Sequence, residues 1–329
     1  MFKIVQTDRP FSDRLEEERV FNNSGLEISF TTYDCMDEAE LKKICADADG
    51  LIVAYAPISA SVIDSMPKCR GISFMATGFN SVDLDYATGK GIVVTNVSDY
   101  CAIEVSDHTL GFILNLSRNI LSLHRSVQAG AWDYEACGVP GRISDQSLGL
   151  IGLGKIGRMV AKKAQAFGLT VLAYDPYVDA DTMRQLQVEK VGLNEALFAD
   201  FVSLHCCLNH DTVNIINQQT LQRMKPSAYL INTARGACVD IEALSDHLAG
   251  NRIQGAALDV VYPEPLPADH RIFSFDNVMI TPHAAFFSAV SSIEVRRKSC
   301  QDAVSILKGI TPRYIVNPEV LERPNCRLG

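Results

Sequence analysis

The chain has 329 residues, 47% of them hydrophobic and 21% charged, which is the make-up of an ordinary globular protein long enough for two domains. A net charge of −9, with no clustered Lys and Arg, speaks against direct nucleic-acid binding. The N-terminus reaches Asp8 and Arg9 before any signal-like apolar stretch, and no run approaches a membrane span, so no membrane role and a cytoplasmic location are expected. The ten cysteines are scattered without a CxxC pair and read as free thiols rather than metal ligands or disulfides.

Taken from the start, FKIVQTD, LEISFTTY, GLIVAYAP, CRGISFMAT and GIVVTNV are five short β-rich runs separated by helix-like or polar segments such as Asp37 to Cys45. That alternation predicts a parallel sheet with helices on both faces. The phrase ATGFNSVD follows the fourth run, at the strand end where open α/β sheets present ligand loops. Thr77, Gly78 and Phe79 there are candidate backbone donors for a substrate carboxylate; the alternative is a tight turn needing one glycine.

Asp99 to Ser126 reads as the longest helix, with Val105, Leu110, Ile113, Leu114, Leu116 and Leu121 making it apolar on several sides. The loop-rich arm from Gln128 to Asp145 holds the single tryptophan, Trp132, and is read either as a subunit contact or as a packed surface loop.

The stretch Ser147 to Pro176 reads as strand, turn, helix and second strand. Gly152, Gly154 and Gly157 follow the apolar run in the order GxGxxG, which suits a tight turn, backbone approach to a pyrophosphate and close helix packing. Gly152, Gly154, Lys155, Ile156 and Gly157 are thus candidate cofactor contacts at a helix start whose amides favour phosphate. Ile156, Val160, Ala164 and Phe167 form the apolar face of that helix, with Gly168 as its stop. Asp175 lies 23 positions after Gly152, near the spacing of about 20 for the acid that takes ribose hydroxyls. Such an acid repels a 2′-phosphate, so NAD is favoured over NADP.

Further strands at FVSLHCCL, SAYLINTA, RIQGAALDVV and NVMITP complete a six-strand doubly wound sheet. The helix from Ser288 to Leu307 and the tail TPRYIVNP are expected to pack back on the N-terminal unit. Arg235, Glu264 and His283 each fall just after one of these strands. Moving a hydride to or from C2 of a 2-hydroxy or 2-keto acid also needs a proton on oxygen and a cation for the carboxylate. Histidine titrates in the right range, arginine binds a carboxylate bidentately, and a carboxylate beside the histidine favours imidazolium. Asp259 is a candidate acceptor for the nicotinamide carboxamide, and Thr233 and Ala234 in INTARG complete the cofactor set.

GLGKIG with YDP, NTARG, LDVVYPEP and TPHAAFFS resembles the NAD-dependent D-isomer-specific 2-hydroxyacid dehydrogenase family along nearly the whole chain. YDPY, LHCCLN, GAALDV and HAAFFSAVSSIEVRRK look closest to its C-terminal-binding-protein branch. The resemblance implies Arg235, Glu264 and His283 as catalytic residues, substrate carboxylate held by Arg235 and the loop Thr77, Gly78, Phe79, and a homodimer formed through the cofactor domains. It also implies the fold class: α/β, with a Rossmann NAD-binding domain over 101–286 and a flavodoxin-like substrate domain over 1–100 and 287–329, both doubly wound parallel sheets, the active site in the cleft. Two departures stand out. Phe286 replaces a tryptophan, and Phe74 replaces an arginine before the substrate loop, both predicting a more apolar pocket. Glu264 argues against a formate dehydrogenase, which typically has glutamine there. A phosphoglycerate dehydrogenase of serine biosynthesis is disfavoured, since a separate regulatory domain is expected beyond residue 329 in that enzyme type. The leading expectation is an oxidoreductase for a small D-2-hydroxy acid; the rival is an NAD-sensing binding protein with little turnover.

Overall fold

A computed structural model describes residues 1–328. The chain divides into two compact units, Met1–Tyr100 together with the chain from Ser288 onward, and Cys101–Phe287.

The first unit is built on five parallel strands, β1 (Phe2–Gln6), β2 (Ile28–Thr32), β3 (Gly50–Val53), β4 (Gly71–Phe74) and β5 (Val93–Thr95), in the order β2-β1-β3-β4-β5. β3, β4 and β5 are buried along their whole length, which explains their continuous apolar runs: helices cover both faces. One cover is the helix Ala289–Leu307, which starts with a capping box at Ser288 and packs on β3 and β4. Gly71 is glycine because a Cβ there would meet the Ile306 side chain at 2.5 Å. Arg296 on the same helix ties down the helix Leu15–Asn22 through Glu17 (Nε to Oε1, 2.8 Å) and through Asp13 (Nη2 to Oδ1, 2.7 Å). Both Arg296 and Glu17 are buried, and their bidentate pairing satisfies charges that burial would otherwise make costly. Asn317, fully buried, accepts from Val94 N at 2.9 Å and donates to Thr88 Oγ1 and Ile92 O, fastening the tail beside β5.

The second unit holds seven parallel strands, β6 (Ser147–Ile151), β7 (Thr170–Tyr174), β8 (Glu189–Lys190), β9 (Phe201–Leu204), β10 (Tyr229–Asn232), β11 (Gly255–Leu258) and β12 (Val278–Ile280). Their order is β12-β11-β10-β9-β6-β7-β8, so the winding reverses between β6 and β9, the place where doubly wound sheets open a ligand crevice. The sheet has one strand more than the six that hydrophobic runs predict. The extra member, β8, is two exposed charged residues on the edge beside β7, with no apolar pattern to betray it.

The long helix expected over Asp99 to Ser126 is two helices, Ala102–Arg118 and Ile120–Gln128, broken at Asn119 with φ 54°. Asparagine tolerates this left-handed conformation, and its side chain donates to Cys137 O at 2.9 Å. Only the first helix buries a face, through Val105, Leu110, Phe112, Ile113 and Leu116; the second buries no residue. The first packs against the helix Lys155–Ala166, and Lys163 Nζ locks the pair by reaching Ser106 Oγ and Asp107 Oδ1, each at 2.6 Å. The buried face of Lys155–Ala166 is Gly157, Val160, Ala161 and Ala164; Phe167, expected to join it, caps the helix and is 45% exposed. Among the described residues no helix is long and apolar enough to cross a membrane.

Candidate functional site

At the end of β6 the three fingerprint glycines have three different environments. Gly152 has φ +97°, and a Cβ there would come within 2.7 Å of Cys206 N and of the His205 carbonyl carbon after β9. At Gly157 a Cβ would come within 2.5 Å of Gly152 O. Gly154 is the N-cap of the helix, is exposed, and a Cβ there would meet nothing within 4 Å. The first and third glycines are therefore demanded by the protein's own packing. The second leaves backbone bare toward open space at a helix N-terminus, where a pyrophosphate fits. Lys155 is exposed beside it and Ile156 half-buried. Asp175, just after β7, accepts Leu153 N at 2.7 Å through Oδ2 and Tyr177 N at 2.9 Å through Oδ1, so it is held against the glycine turn.

Arg235 follows β10. Asn232 shapes its loop by donating to Arg235 O at 2.9 Å and accepting Ala234 N at 3.0 Å, while Thr233 Oγ1 lies 3.1 Å from Thr109 Oγ1. Gly236 allows the next turn to press on Val261, whose carbonyl a Cβ would overlap. From that neighbouring loop Glu264 Oε1 accepts Val261 N at 3.0 Å, and Glu264 Oε2 lies 2.9 Å from His283 Nδ1. A carboxylate only accepts, so Nδ1 carries the hydrogen and a second proton on the ring goes to Nε2. Burial works against ionisation of Glu264. The hydrogen bond and charge of His283, the Val261 N–H and the Arg235 charge outweigh it and hold the carboxyl below its usual range. The three residues singled out in the sequence thus act on one another electrostatically.

His283 itself has φ 52°, a strained conformation for a non-glycine residue. Its N–H donates to Asp259 O at 2.8 Å. Asp259, expected to receive the nicotinamide carboxamide, is 2% exposed, and its carboxylate shapes the His283 turn. Oδ1 accepts Thr281 Oγ1 at 2.5 Å and Ala284 N at 2.8 Å, and Oδ2 accepts Ala285 N at 2.9 Å. The Phe286 ring stands edge-on to His283 with centroids 6.2 Å apart.

In the first unit, the loop after β4 is pinned by Thr77, whose hydroxyl donates to Val97 O at 3.1 Å and whose carbonyl accepts from Asn96 Nδ2. Gly78 and Phe79 are half-buried, Phe79 packing on that unit's core. Phe74, expected to make a pocket more apolar, is fully buried at the end of β4 within that core.

A family model described as the NAD-binding domain of D-isomer specific 2-hydroxyacid dehydrogenases matches residues 110–285. The chain belongs to this family. The dehydrogenase is similar to a glyoxylate reductase of Thermofilum pendens, with 36% identity over 292 residues, 86% of this chain and 85% of that one. It is 34% identical to a D-3-phosphoglycerate dehydrogenase of Methanocaldococcus jannaschii over 96% of this chain but 60% of that longer one. Among solved structures, a D-lactate dehydrogenase of Aquifex aeolicus complexed with NAD and lactic acid superposes with a TM-score of 0.84 at 29% identity, covering 93% of this chain and 96% of that one.

The dehydrogenase accordingly uses NAD and interconverts a 2-hydroxy acid and its 2-keto partner. The open cradle at Gly154 fits that cofactor. Bound there, NADH supplies the hydride; everything else the reaction needs must come from side chains. One residue near the cradle escaped sequence reasoning. His205 is half-buried, its backbone and Cβ against Gly152 and Gly157, and desolvation of its ring pushes the pKa down to about 3, so it is neutral, with Nε2 2.9 Å from Ser203 Oγ. Its place in LHCC, directly after a buried strand, was the available signal.

Proposed function

We propose that this dehydrogenase acts on a small D-2-hydroxy acid or its 2-keto partner with Arg235, Glu264 and His283 as its catalytic residues. The observation that carries the reading is the 2.9 Å contact of Glu264 with His283 Nδ1, in a carboxylate that also feels the Arg235 charge. In the reducing direction Arg235 binds the substrate carboxylate and polarises the keto group, and His283 Nε2 gives its proton to the nascent alkoxide. Glu264 stabilises the imidazolium before that transfer. Gly152, Gly154, Lys155, Ile156 and Gly157 cradle the dinucleotide, Asp175 takes ribose hydroxyls, and Thr233 and Ala234 flank the cofactor beside Arg235. To the loop Thr77, Gly78 and Phe79 we assign the second hold on the carboxylate, for which a glycine-containing turn suits backbone donation. Phe286, edge-on to His283, favours an apolar substituent at C3 of the acid.

The finer placement follows the same reading. Motifs such as HAAFFSAVSSIEVRRK support a position near the C-terminal-binding-protein branch. Trp132, Tyr134 and Val139, 91%, 83% and 87% exposed, support a homodimer in which the arm between Gln128 and Asp145 covers a second copy, because single chains rarely leave such residues in water. Ten free cysteines support a reducing compartment such as the cytoplasm. The test is NADH oxidation with 2-keto acids of graded size and charge, run beside His283→Ala. Turnover that the variant loses supports the reading; turnover that survives it removes His283 from the mechanism.

A further inference from the structure

We propose that His108 is a positioning residue for the reaction, acting through Thr281 and Asp259 on the turn that carries His283. This rests on the reading of His283 as the proton carrier. All four residues belong to the second unit.

The argument begins with a single proton. The Thr281 hydroxyl donates to Asp259 Oδ1 at 2.5 Å, so its oxygen is left to accept. His108 Nε2 lies 3.1 Å from that oxygen and is the donor the arrangement requires, which fixes the His108 tautomer with hydrogen on Nε2. The same nitrogen is 3.8 Å from Asp259 Oδ1. A directional chain results: His108 donates to Thr281, Thr281 to Asp259, and the carboxylate takes the amides of Ala284 and Ala285. Asp259 also accepts the His283 N–H on its backbone carbonyl. The residue with φ 52° is therefore framed on both sides by one aspartate whose side chain is oriented from behind by His108.

The anchor is rigid. His108 lies on the helix Ala102–Arg118, beside Asp107, which Lys163 clamps to the fingerprint helix. Its ring is edge-on to Phe112 with centroids 4.5 Å apart. Asp259, 2% exposed, has no solvent to replace a lost donor. A freed Thr281 hydroxyl can rotate off Asp259, the turn relaxes, and His283 Nε2 moves from its line of transfer. Displacement of a reacting group by a fraction of an ångström lowers turnover without removing a substrate contact.

The test compares steady-state reduction of a 2-keto acid, NADH binding by fluorescence and thermal unfolding in His108→Ala, His108→Gln, Thr281→Val, the His108→Ala/Thr281→Val double variant and His283→Ala. Expected is a kcat about tenfold lower in His108→Ala, with NADH affinity and substrate KM within about twofold of wild type. Glutamine keeps a donor at similar reach and is expected to recover kcat to within about threefold. The double variant should be no slower than Thr281→Val alone, since both break the same chain. Wild-type kcat in His108→Ala, failure of glutamine to recover it, or additive losses in the double variant would each overturn the proposal. Should His108→Ala not fold, His108→Gln and Thr281→Val decide it by the same criteria: near-normal kcat in the first and a lowered one in the second. His283→Ala separates the two readings. If it keeps turnover, the assignment of His283 fails; if it is inactive while His108→Ala is normal, only the relay fails.

Discussion

Glu264 Oε2 sits 2.9 Å from His283 Nδ1, while its other oxygen is held by Val261 N. Its carboxyl is held below the usual range, so it is ionised at neutral pH. Glu264→Gln keeps an acceptor but removes the charge, so the imidazolium loses its counter-ion. Reduction needs the protonated ring, so the variant's kcat for keto-acid reduction should fall by about tenfold or more while NADH affinity stays within about twofold. Initial-rate kinetics with fluorescence titration check this, and a wild-type kcat would leave Glu264 with a structural part only.

Arg235→Lys should lower kcat/KM for the keto acid by about a hundredfold, divided between a higher KM and a lower kcat. Lysine keeps the charge but cannot present two parallel N–H groups. NADH affinity should be retained, and initial-rate kinetics with fluorescence titration would show whether it is.

The glycine turn predicts opposite outcomes for neighbouring substitutions. Gly154→Ala places its methyl where the protein has no atom within 4 Å, so thermal stability should stay near wild type while NADH binding weakens by at least about tenfold. Gly157→Ala drives a methyl against Gly152 O and should cost about 2–4 kcal/mol of stability. Equal affinity for NADH in Gly154→Ala would place the pyrophosphate elsewhere.

Asp302, buried on the helix Ala289–Leu307, has its pKa pushed from 3.8 up to about 6 by burial, which outweighs the Arg313 and Tyr314 amides beside it. Its folded value is raised, so the native state holds a proton that the unfolded chain releases. That contribution is complete below about pH 4 and lost as pH rises through about 6. The difference from 3.8 to about 6 corresponds to at most about 3 kcal/mol. Asp302→Asn should raise the melting temperature at pH 8 and do little at pH 4; a shift of equal size at both would show that ionisation is not the cause.

Much of the fold is legible in the sequence because β3, β4, β5 and β9 are buried on both faces and must be written as unbroken apolar runs. β8 is illegible because a two-residue exposed edge strand needs no pattern. The break at Asn119 is hidden because apolar residues continue on either side of a single left-handed residue. For the site, glycine spacing and the polar residues at strand ends led to the Gly152 turn and to the loops on which Glu264 and His283 meet. The burial of Phe74 was not legible, since a strand's last residue can turn into the core as readily as toward a ligand, and spacing does not say which. His108 and His205 passed unnoticed because only neighbours distant in sequence, Thr281 for the one and Gly152 for the other, give them meaning.

The buried Asn317 bears on how the chain matures during synthesis. Its partner Val94 precedes it by 223 residues, and the second unit, contiguous in sequence, lies wholly between them. A growing chain therefore completes the second unit while the strands made before it wait with the β5 edge unfastened. Until Asn317 has been made, the first unit has every strand but not the clasp that holds its edge.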